Sequence, residues 1–94
     1  NDMGVLYDYM GKYDDAVKTY EKAVDIFKKA GDDTELSNTT NNIGLVLYRA
    51  GEYKKAKGYF EKAYQMYKEL YGEDDEYTIE AKDNVDLMDE MMKK

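Results

Sequence analysis

Apolar residues recur along the chain at intervals of three and four positions, which is the spacing of one helix face. This pattern predicts four helices, at about 13–30, 34–50, 53–70 and 75–93, and the chain contains no proline to break them. The second and fourth predicted helices have as apolar members Leu36, Ile43, Val46, Leu47 and Ala50, and Ile79, Ala81, Val85, Met88 and Met92. The stripes of the first and third are Ala16, Tyr20, Ala23 and Phe27, and Ala56, Phe60, Ala63 and Tyr67.

The first and third predicted helices lie in two copies of one repeated segment. The segment GKYDDAVKTYEKA at 11–23 returns as GEYKKAKGYFEKA at 51–63, and seven of twenty positions are identical when 4–23 is aligned with 44–63. A partial third copy follows, since NNI at 41–43 returns as DNV at 83–85. Self-similarity at a period of about 40 is typical of stacked arrays, in which one helix pair cannot bury its apolar face alone.

Glycines occur at the same positions in both copies of the repeated segment. We expect Gly11 and Gly51 to end helices, where a positive φ costs glycine little. Gly4 and Gly44 fall inside helices, at a cost of about 1 kcal/mol each against alanine, and close helix packing is the expected compensation. Gly58 also falls inside a helix, and the repeat pattern gives no reason for it.

Polar residues mark the predicted helix starts. Asp32, Asp33 and Thr34 can cap one helix, and Asp74 with Asp75 can cap another. The acidic run EDDE at 73–76 is a candidate calcium site, but it lacks the alternating ligands and central glycine of an EF-hand loop. A cap and solvated turn is the favoured interpretation.

These positions resemble the tetratricopeptide repeat. Its Leu-Gly-x-x-Tyr…Gly-x-Tyr…Ala-x-x-x-Phe…Ala signature appears twice, as Met3, Gly4, Tyr7, Gly11, Tyr13, Ala16, Tyr20 and Ala23, and as Ile43, Gly44, Leu47, Gly51, Tyr53, Ala56, Phe60 and Ala63. The resemblance implies an all-α, right-handed superhelical array of antiparallel helix pairs, a TPR-like α-solenoid. The family's usual period is 34, whereas the period here is 40–42, and lysine replaces its terminal proline at Lys28 and Lys68. With the segment ELYGEDDEYTIEAKDNV at 69–85, this longer period resembles the kinesin-light-chain type.

The repeat register divides the chain into three parts. Residues 1–33 are expected to form a truncated first repeat, because Asn1 aligns with Asn41, partway along a helix. Residues 34–73 form a complete second repeat. Residues 74–94 are read as a capping helix, because acids stand at Asp86 and Asp89 where the family has glycine and a large apolar residue; the alternative is the first helix of a third repeat.

The net charge of −7 is unevenly distributed. Residues 1–33 carry five lysines against eight acids, net −3; residues 34–72 carry six basic residues against four acids, net +2; residues 73–94 carry three lysines against nine acids, net −6. This charge distribution argues against binding to nucleic acid or to anionic membrane surfaces, and it favours a neutral or basic protein partner.

The composition offers little for catalysis. There is no cysteine and no histidine, which removes thiolate sites, the commonest metal ligand and the usual proton shuttle at neutral pH. We therefore expect no enzyme activity, no cofactor and no metal. No apolar run approaches the length of about 20 residues that a membrane span needs, and a cytoplasmic location is expected.

The resemblance implies a protein-binding role. In this family the first helix of each repeat lines a concave groove that receives a peptide or a partner helix. The matching positions here are Asn38, Asn41, Asn42, Leu45, Arg49, Asn84 and Leu87. The chaperone-binding members of the family use lysine and arginine side chains to bind the C-terminal carboxylate of their ligand. The equivalent positions here carry no cation, since they are Asn1, Val5, Asn42, Glu80 and Asn84, so chaperone binding of this kind is disfavoured. The alternative function is structural self-association, as a homodimer or swapped pair through an exposed repeat face.

Overall fold

The computed structural model describes residues 13–93, and the only regular elements in that range are four α-helices. They are α1 (Tyr13–Ala30), α2 (Asp33–Arg49), α3 (Tyr53–Tyr71) and α4 (Glu76–Lys93). Each begins and ends within one residue of the position predicted from the sequence. The all-α fold is therefore confirmed. The predicted roles of Gly4 and Gly11 lie outside the described residues.

Glycine and aspartate set the helix boundaries. Gly31, Gly51 and Gly72 follow α1, α2 and α3 with φ of 73°, 81° and 96°, values that cost glycine little. The Asp32 carboxylate accepts a hydrogen bond of 3.2 Å from the Glu35 N–H at the start of α2. Asp75 accepts one of 2.9 Å from the Tyr77 N–H at the start of α4. Capping by these two aspartates is therefore confirmed.

Three contacts between helices show that neighbouring helices run antiparallel. The Tyr13 hydroxyl, at the start of α1, donates to the Arg49 carbonyl at the end of α2 over 3.0 Å. The Tyr67 hydroxyl, late in α3, donates to Asn38 Oδ1 early in α2 over 2.7 Å. Lys57 Nζ, early in α3, lies 2.6 Å from Asp89 Oδ1 late in α4. Each helix thus packs against the next one in the chain.

The core is built from the predicted stripes. Ala56, Phe60, Ala63 and Tyr67 of α3 are all buried, and Ile43 and Leu47 of α2 and Met88 of α4 join them. The matching positions on α1 are half-buried: Ala16, Tyr20, Ala23 and Phe27. The third helix is therefore the central one, enclosed by α2 on one side and α4 on the other.

Two predicted core positions on α4 are wrong. Ile79 is 47% exposed and Met92 is 42% exposed, whereas Thr78 and Ala81 are buried. The buried arc of α4 is narrow and is centred on Ala81 and Met88, and Ile79 lies on the opposite side of the helix at about 100° per residue. Met88 is a buried core residue, as expected for a gap-filling methionine.

Small hydroxyl residues contribute to the packed face of α2, which the apolar pattern did not reveal. Ser37, Thr39 and Thr40 are buried. The hydroxyls of Ser37 and Thr40 donate to the carbonyls of Asp33 and Leu36, each over 2.7 Å. Because these bonds satisfy the hydroxyls within the helix, the residues can be buried as small spacers between helices.

Gly44 explains how closely α2 and α3 approach. A Cβ atom at this position would lie 2.8 Å from Cε1 and 2.9 Å from Cδ1 of Phe60. The Phe60 ring is itself buried in one core cluster with Ile43, Leu47, Ala56 and Met88, so moving the ring would disturb the packing of the core. The predicted compensation for a helical glycine is therefore present at this position.

We predict that Gly44→Ala lowers the free energy of unfolding by about 1–3 kcal/mol, because the added methyl overpacks the Phe60 ring. Gly58→Ala is the matched control, since a Cβ atom there meets no heavy atom within 4 Å. It should raise stability by about 0.5–1 kcal/mol through helix propensity alone. Urea unfolding followed by circular dichroism measures both changes, and a stabilising Gly44→Ala would disprove the close contact.

Candidate functional site

The predicted groove residues of α2 share one side of that helix. At about 100° per residue, Asn38, Asn41, Asn42, Leu45 and Arg49 fall about 120–220° around the axis from Leu47. Leu47 lies inside the buried arc, whose members are Ser37, Thr39, Thr40, Ile43, Gly44, Val46 and Leu47. The five predicted residues therefore form a separate surface opposite the packed face, which we call the polar arc.

The amides of the polar arc have different surroundings. Asn38 is half-buried, and its Oδ1 accepts the hydrogen bond from Tyr67, so a ligand would compete for that oxygen. Asn41 Oδ1 is buried and has no hydrogen-bond partner among the described residues. Asn42 is half-buried.

Leu45 and Arg49 complete the polar arc. Leu45 is half-buried and packs against the core cluster, so it supplies an apolar contact beside the amides. Arg49 is exposed, and its backbone carbonyl holds Tyr13. The arc thus runs from an amide-rich start to a cationic end.

The two candidates on α4 lie at the border of its packed face. Asn84 is half-buried and falls about 40° around the helix from the buried Met88, whereas Leu87 is 40% exposed and falls a further 60° around. Tyr77 and Met91 stand seven residues before and after Asn84, on the same side of the helix. This stripe of α4 therefore combines an amide with apolar and aromatic side chains.

Two links join the polar arc of α2 to this stripe of α4. The Tyr67 side chain of α3 donates to Asn38 of α2, and its ring lies 5.6 Å from the ring of Tyr77 of α4. Leu45 and Met91 both pack against the same core cluster. The arc and the stripe therefore border one region of the surface.

The region ends in a tyrosine patch that the sequence analysis did not identify. Tyr67, Tyr71 and Tyr77 have ring centroids 5.6–6.1 Å apart, and Tyr71 and Tyr77 are 41% and 55% exposed. From the sequence, Tyr67 is predicted on the apolar stripe of the third helix, and no role is predicted for Tyr71 or Tyr77. The signal that could have found the patch is the i, i+4 spacing of Tyr67 and Tyr71, together with Tyr77 just after the turn.

The tyrosine patch has a local electrostatic signature. Burial, as the largest cause, and the neighbouring Tyr71, Tyr77 and Glu80 together raise the pKa of Tyr67 to about 12. A charged phenolate is disfavoured there because it would lose hydration and would face other negative groups. Tyr67 therefore stays a neutral hydrogen-bond donor to Asn38 at physiological pH.

Nothing among residues 13–93 points to a metal centre or a membrane span. The described part of the chain holds no group of three acidic side chains placed to bind a metal ion. None of its four helices is long and apolar enough to cross a bilayer. The run at 73–76 has a structural use instead, since Asp75 caps α4 and Glu73 pairs with Lys68 over 3.1 Å.

We predict that Tyr67 contributes to stability and that this contribution disappears in strong base. Because the pKa of Tyr67 is about 12 in the folded chain and ordinarily 10.0, the contribution is fully present below pH 10 and is lost between pH 10 and 12, by about 2–3 kcal/mol. Tyr67→Phe should lose about 0.5–1.5 kcal/mol at pH 7 with its hydrogen bond, yet fall less steeply above pH 10. Tyr48→Phe is the control; equal alkaline losses in both variants would contradict the assignment.

The comparisons with known proteins agree with the geometry. The sequence model of the family described as tetratricopeptide repeat matches residues 1–69 and, in a second alignment, residues 35–85. Neither a curated protein nor a solved structure matches the chain significantly. The two alignments overlap over residues 35–69, and the second extends into the first half of α4. Because they cover most of the chain, and the helices pair as that repeat requires, the chain belongs to the tetratricopeptide repeat family, whose repeats generally mediate protein–protein interactions.

Proposed function

We propose that the chain is a non-catalytic scaffold module that binds a peptide or a partner helix on the surface between the polar arc and α4. The observation that carries the proposal is the separation of α2 into a packed face and an opposite arc that is rich in partly exposed amides. An amide side chain both donates and accepts, so it can pair with either group of a peptide backbone. Asn41, Asn42 and Asn84 are the residues we assign to that task.

The remaining candidates have supporting roles. Leu45 and Leu87 offer apolar contact on either side of the amides. Asn38 acts through Tyr67, because its hydrogen bond fixes the ring that contacts the exposed Tyr71 and Tyr77. Exposed aromatic side chains are common anchors in protein interfaces. A ligand on this surface would thus bury aromatic area at one end and pair its backbone at the other.

The partner is a neutral or basic segment. Residues 73–94 carry a net charge of −6, and Glu80 lies close enough to Tyr67 to affect its pKa. A lysine or arginine side chain can therefore contact both the ring faces and the acids at this end of the surface. A cytoplasmic location stays a prediction.

We also propose that the repeats are of the kinesin-light-chain type. The support is the repeat spacing of 40–42 residues and the length of α3, which continues for 19 residues to Tyr71 before Gly72 ends it. An ion pair between Lys68 of α3 and Glu73 joins the end of this long helix to the turn at 72–75. Residues 74–94 serve in this interpretation as the cap of the array, since Asp86 is exposed.

We predict that Asn42→Ala weakens binding of a groove ligand by about 1–3 kcal/mol, because backbone groups of the ligand lose their partner. Peptides selected from a random displayed library against the wild-type chain are the probes, and calorimetry measures their affinity. Gln65→Ala is the matched control, since Gln65 is an exposed amide on α3 outside this surface. Selected peptides that bind both variants and the wild type equally would show that the surface lies elsewhere.

Self-association is a second candidate, favoured by one observation. The stripe of α1 is only half-buried at Tyr20 and Phe27, whereas its copy on α3 is buried at Phe60 and Tyr67. A second copy of the chain could cover this stripe and form a homodimer or a swapped pair.

The dimer hypothesis predicts a molar mass that doubles with rising concentration. Multi-angle light scattering across a dilution series measures it. Phe27→Asp should then shift the population to the monomer, because it places a charge on the covered stripe, whereas Asp25→Asn, at an exposed position of the same helix, should not. A wild-type chain that is monomeric at every concentration contradicts self-association and leaves the peptide proposal standing.

A further inference from the structure

A second cleft opens on the opposite side of α2 from the polar arc. It lies between α1 and α3, has a volume of about 520 Å³, and has Leu47 of α2 among its lining residues. Leu47 belongs to the packed face of α2, so this cleft and the peptide surface proposed above are separated by the width of the helix. We call it the lysine cleft, for the residues that line it.

The lysine cleft is positively charged in a chain whose net charge is −7. Lys18 of α1 and Lys55 and Lys62 of α3 line it, against the single acid Glu21. Within the described residues, Lys18 and Lys62 form no ion pair. Lys55 Nζ lies 3.9 Å from an exposed Glu52 oxygen, a distance at which an exposed pair contributes little. The three ammonium groups are thus available to an anionic ligand.

The floor and one wall of the cleft add apolar surface. Val17, Leu47 and the half-buried Tyr59 line it, and Lys62 Nζ stands 5.5 Å from the centroid of the Tyr59 ring. A ligand that enters between the helices therefore meets an apolar centre with ammonium groups around it. This arrangement suits an apolar side chain flanked by carboxylates.

Gly58 provides an independent observation at the same place. It lies in the interior of α3, where glycine costs about 1 kcal/mol against alanine, and no heavy atom lies within 4 Å of the position that its Cβ would occupy. Packing inside the described chain therefore does not require this glycine, in contrast to Gly44. Gly58 is exposed and lines the lysine cleft, and a missing side chain there lets another backbone approach α3 closely.

We propose that the lysine cleft is a second docking site, which binds an acidic segment of a partner protein. The segment places an apolar side chain over Val17 and Leu47, passes Gly58 with its backbone, and pairs its carboxylates with Lys18, Lys55 and Lys62. A short acidic peptide contacts only this positive region. A long polyanion such as nucleic acid needs a broad basic face and would be repelled by residues 73–94, with their net charge of −6.

The first test maps the site by nuclear magnetic resonance on the ¹⁵N-labelled chain. The probe is a capped peptide with one leucine flanked on both sides by glutamates, and the control peptide has glutamine at every glutamate position. The acidic peptide should shift the amide signals of residues 17–21 and 55–62, with Gly58 among the largest, and the control peptide should not. Shifts confined to the polar arc, or no shifts at millimolar peptide, overturn the proposal.

Charge-reversal variants separate local pairing from net charge. Lys18→Glu combined with Lys62→Glu should weaken the acidic peptide at least about tenfold. Lys28→Glu combined with Lys93→Glu changes the net charge equally at exposed positions outside the cleft, and should leave the affinity within about twofold. Equal losses in both double variants would show that no specific site exists. Tighter binding of a short duplex DNA than of the peptide at the same residues would also overturn the proposal.

The Gly58→Ala variant tests the close approach of the ligand backbone. Its melting temperature should rise by about 2–8 °C, because the helix gains propensity without meeting a neighbour, while its affinity for the acidic peptide should fall several-fold. The opposite signs of the two changes distinguish a blocked cleft from a damaged fold. Wild-type affinity in Gly58→Ala contradicts the assigned approach. Asn42→Ala should bind the acidic peptide normally, so this proposal and that of the polar arc can fail separately.

Discussion

The structure depends on how closely α2 and α3 approach each other at Gly44. The Phe60 ring occupies the space that a side chain at position 44 would need, since a Cβ there would lie 2.8 Å from the ring. Ile43 and Leu47 of α2, Ala56 of α3 and Met88 of α4 then gather around the same ring. One aromatic side chain thus joins three helices, and the absence of a side chain on α2 makes this possible. Burial of a ring among so many neighbours outweighs the helix propensity lost at a single glycine.

Close packing on one side of α2 determines what the rest of that helix can do. Its buried arc uses residues no larger than isoleucine or leucine, and three of them are serine or threonine. The opposite arc is only partly packed, since Leu45 still contacts the core cluster, and it holds Asn41, Asn42 and Arg49. The central helix α3 is buried along the stripe from Ala56 to Tyr67 and leaves Lys55, Gly58 and Lys62 outside it. Each proposed binding surface thus consists of residues that lie outside the buried stripe of a helix.

The sequence predicted the helices and their pairing more completely than the surfaces between them. Period, apolar spacing and the glycine positions predicted all four helices, because each of these signals is local or repeats along the chain. The positions of Ile79 and Thr78 were not predictable in the same way, since the direction of the buried arc of α4 depends on where α3 ends and on the turn at 72–75. The contact of Tyr67 with Asn38 joins residues 29 apart, and no local pattern encodes it. Gly58 likewise has no local explanation, because the cleft that it lines is formed by residues of three helices.

Charge shows why the total composition is a poor guide to partners. The net charge of −7 favours a neutral or basic ligand when it is taken as one number. The charge is divided among the helices, however: residues 73–94, which form α4 and most of the turn before it, have a net charge of −6, whereas α1 and α3 bring three lysines to one cleft. At physiological ionic strength, interactions between exposed charges fade beyond about 8 Å, so each surface responds to the charges that line it. A basic ligand beside the tyrosine patch and an acidic ligand in the lysine cleft are therefore compatible on the same small array, because α2 and α3 stand between the two surfaces.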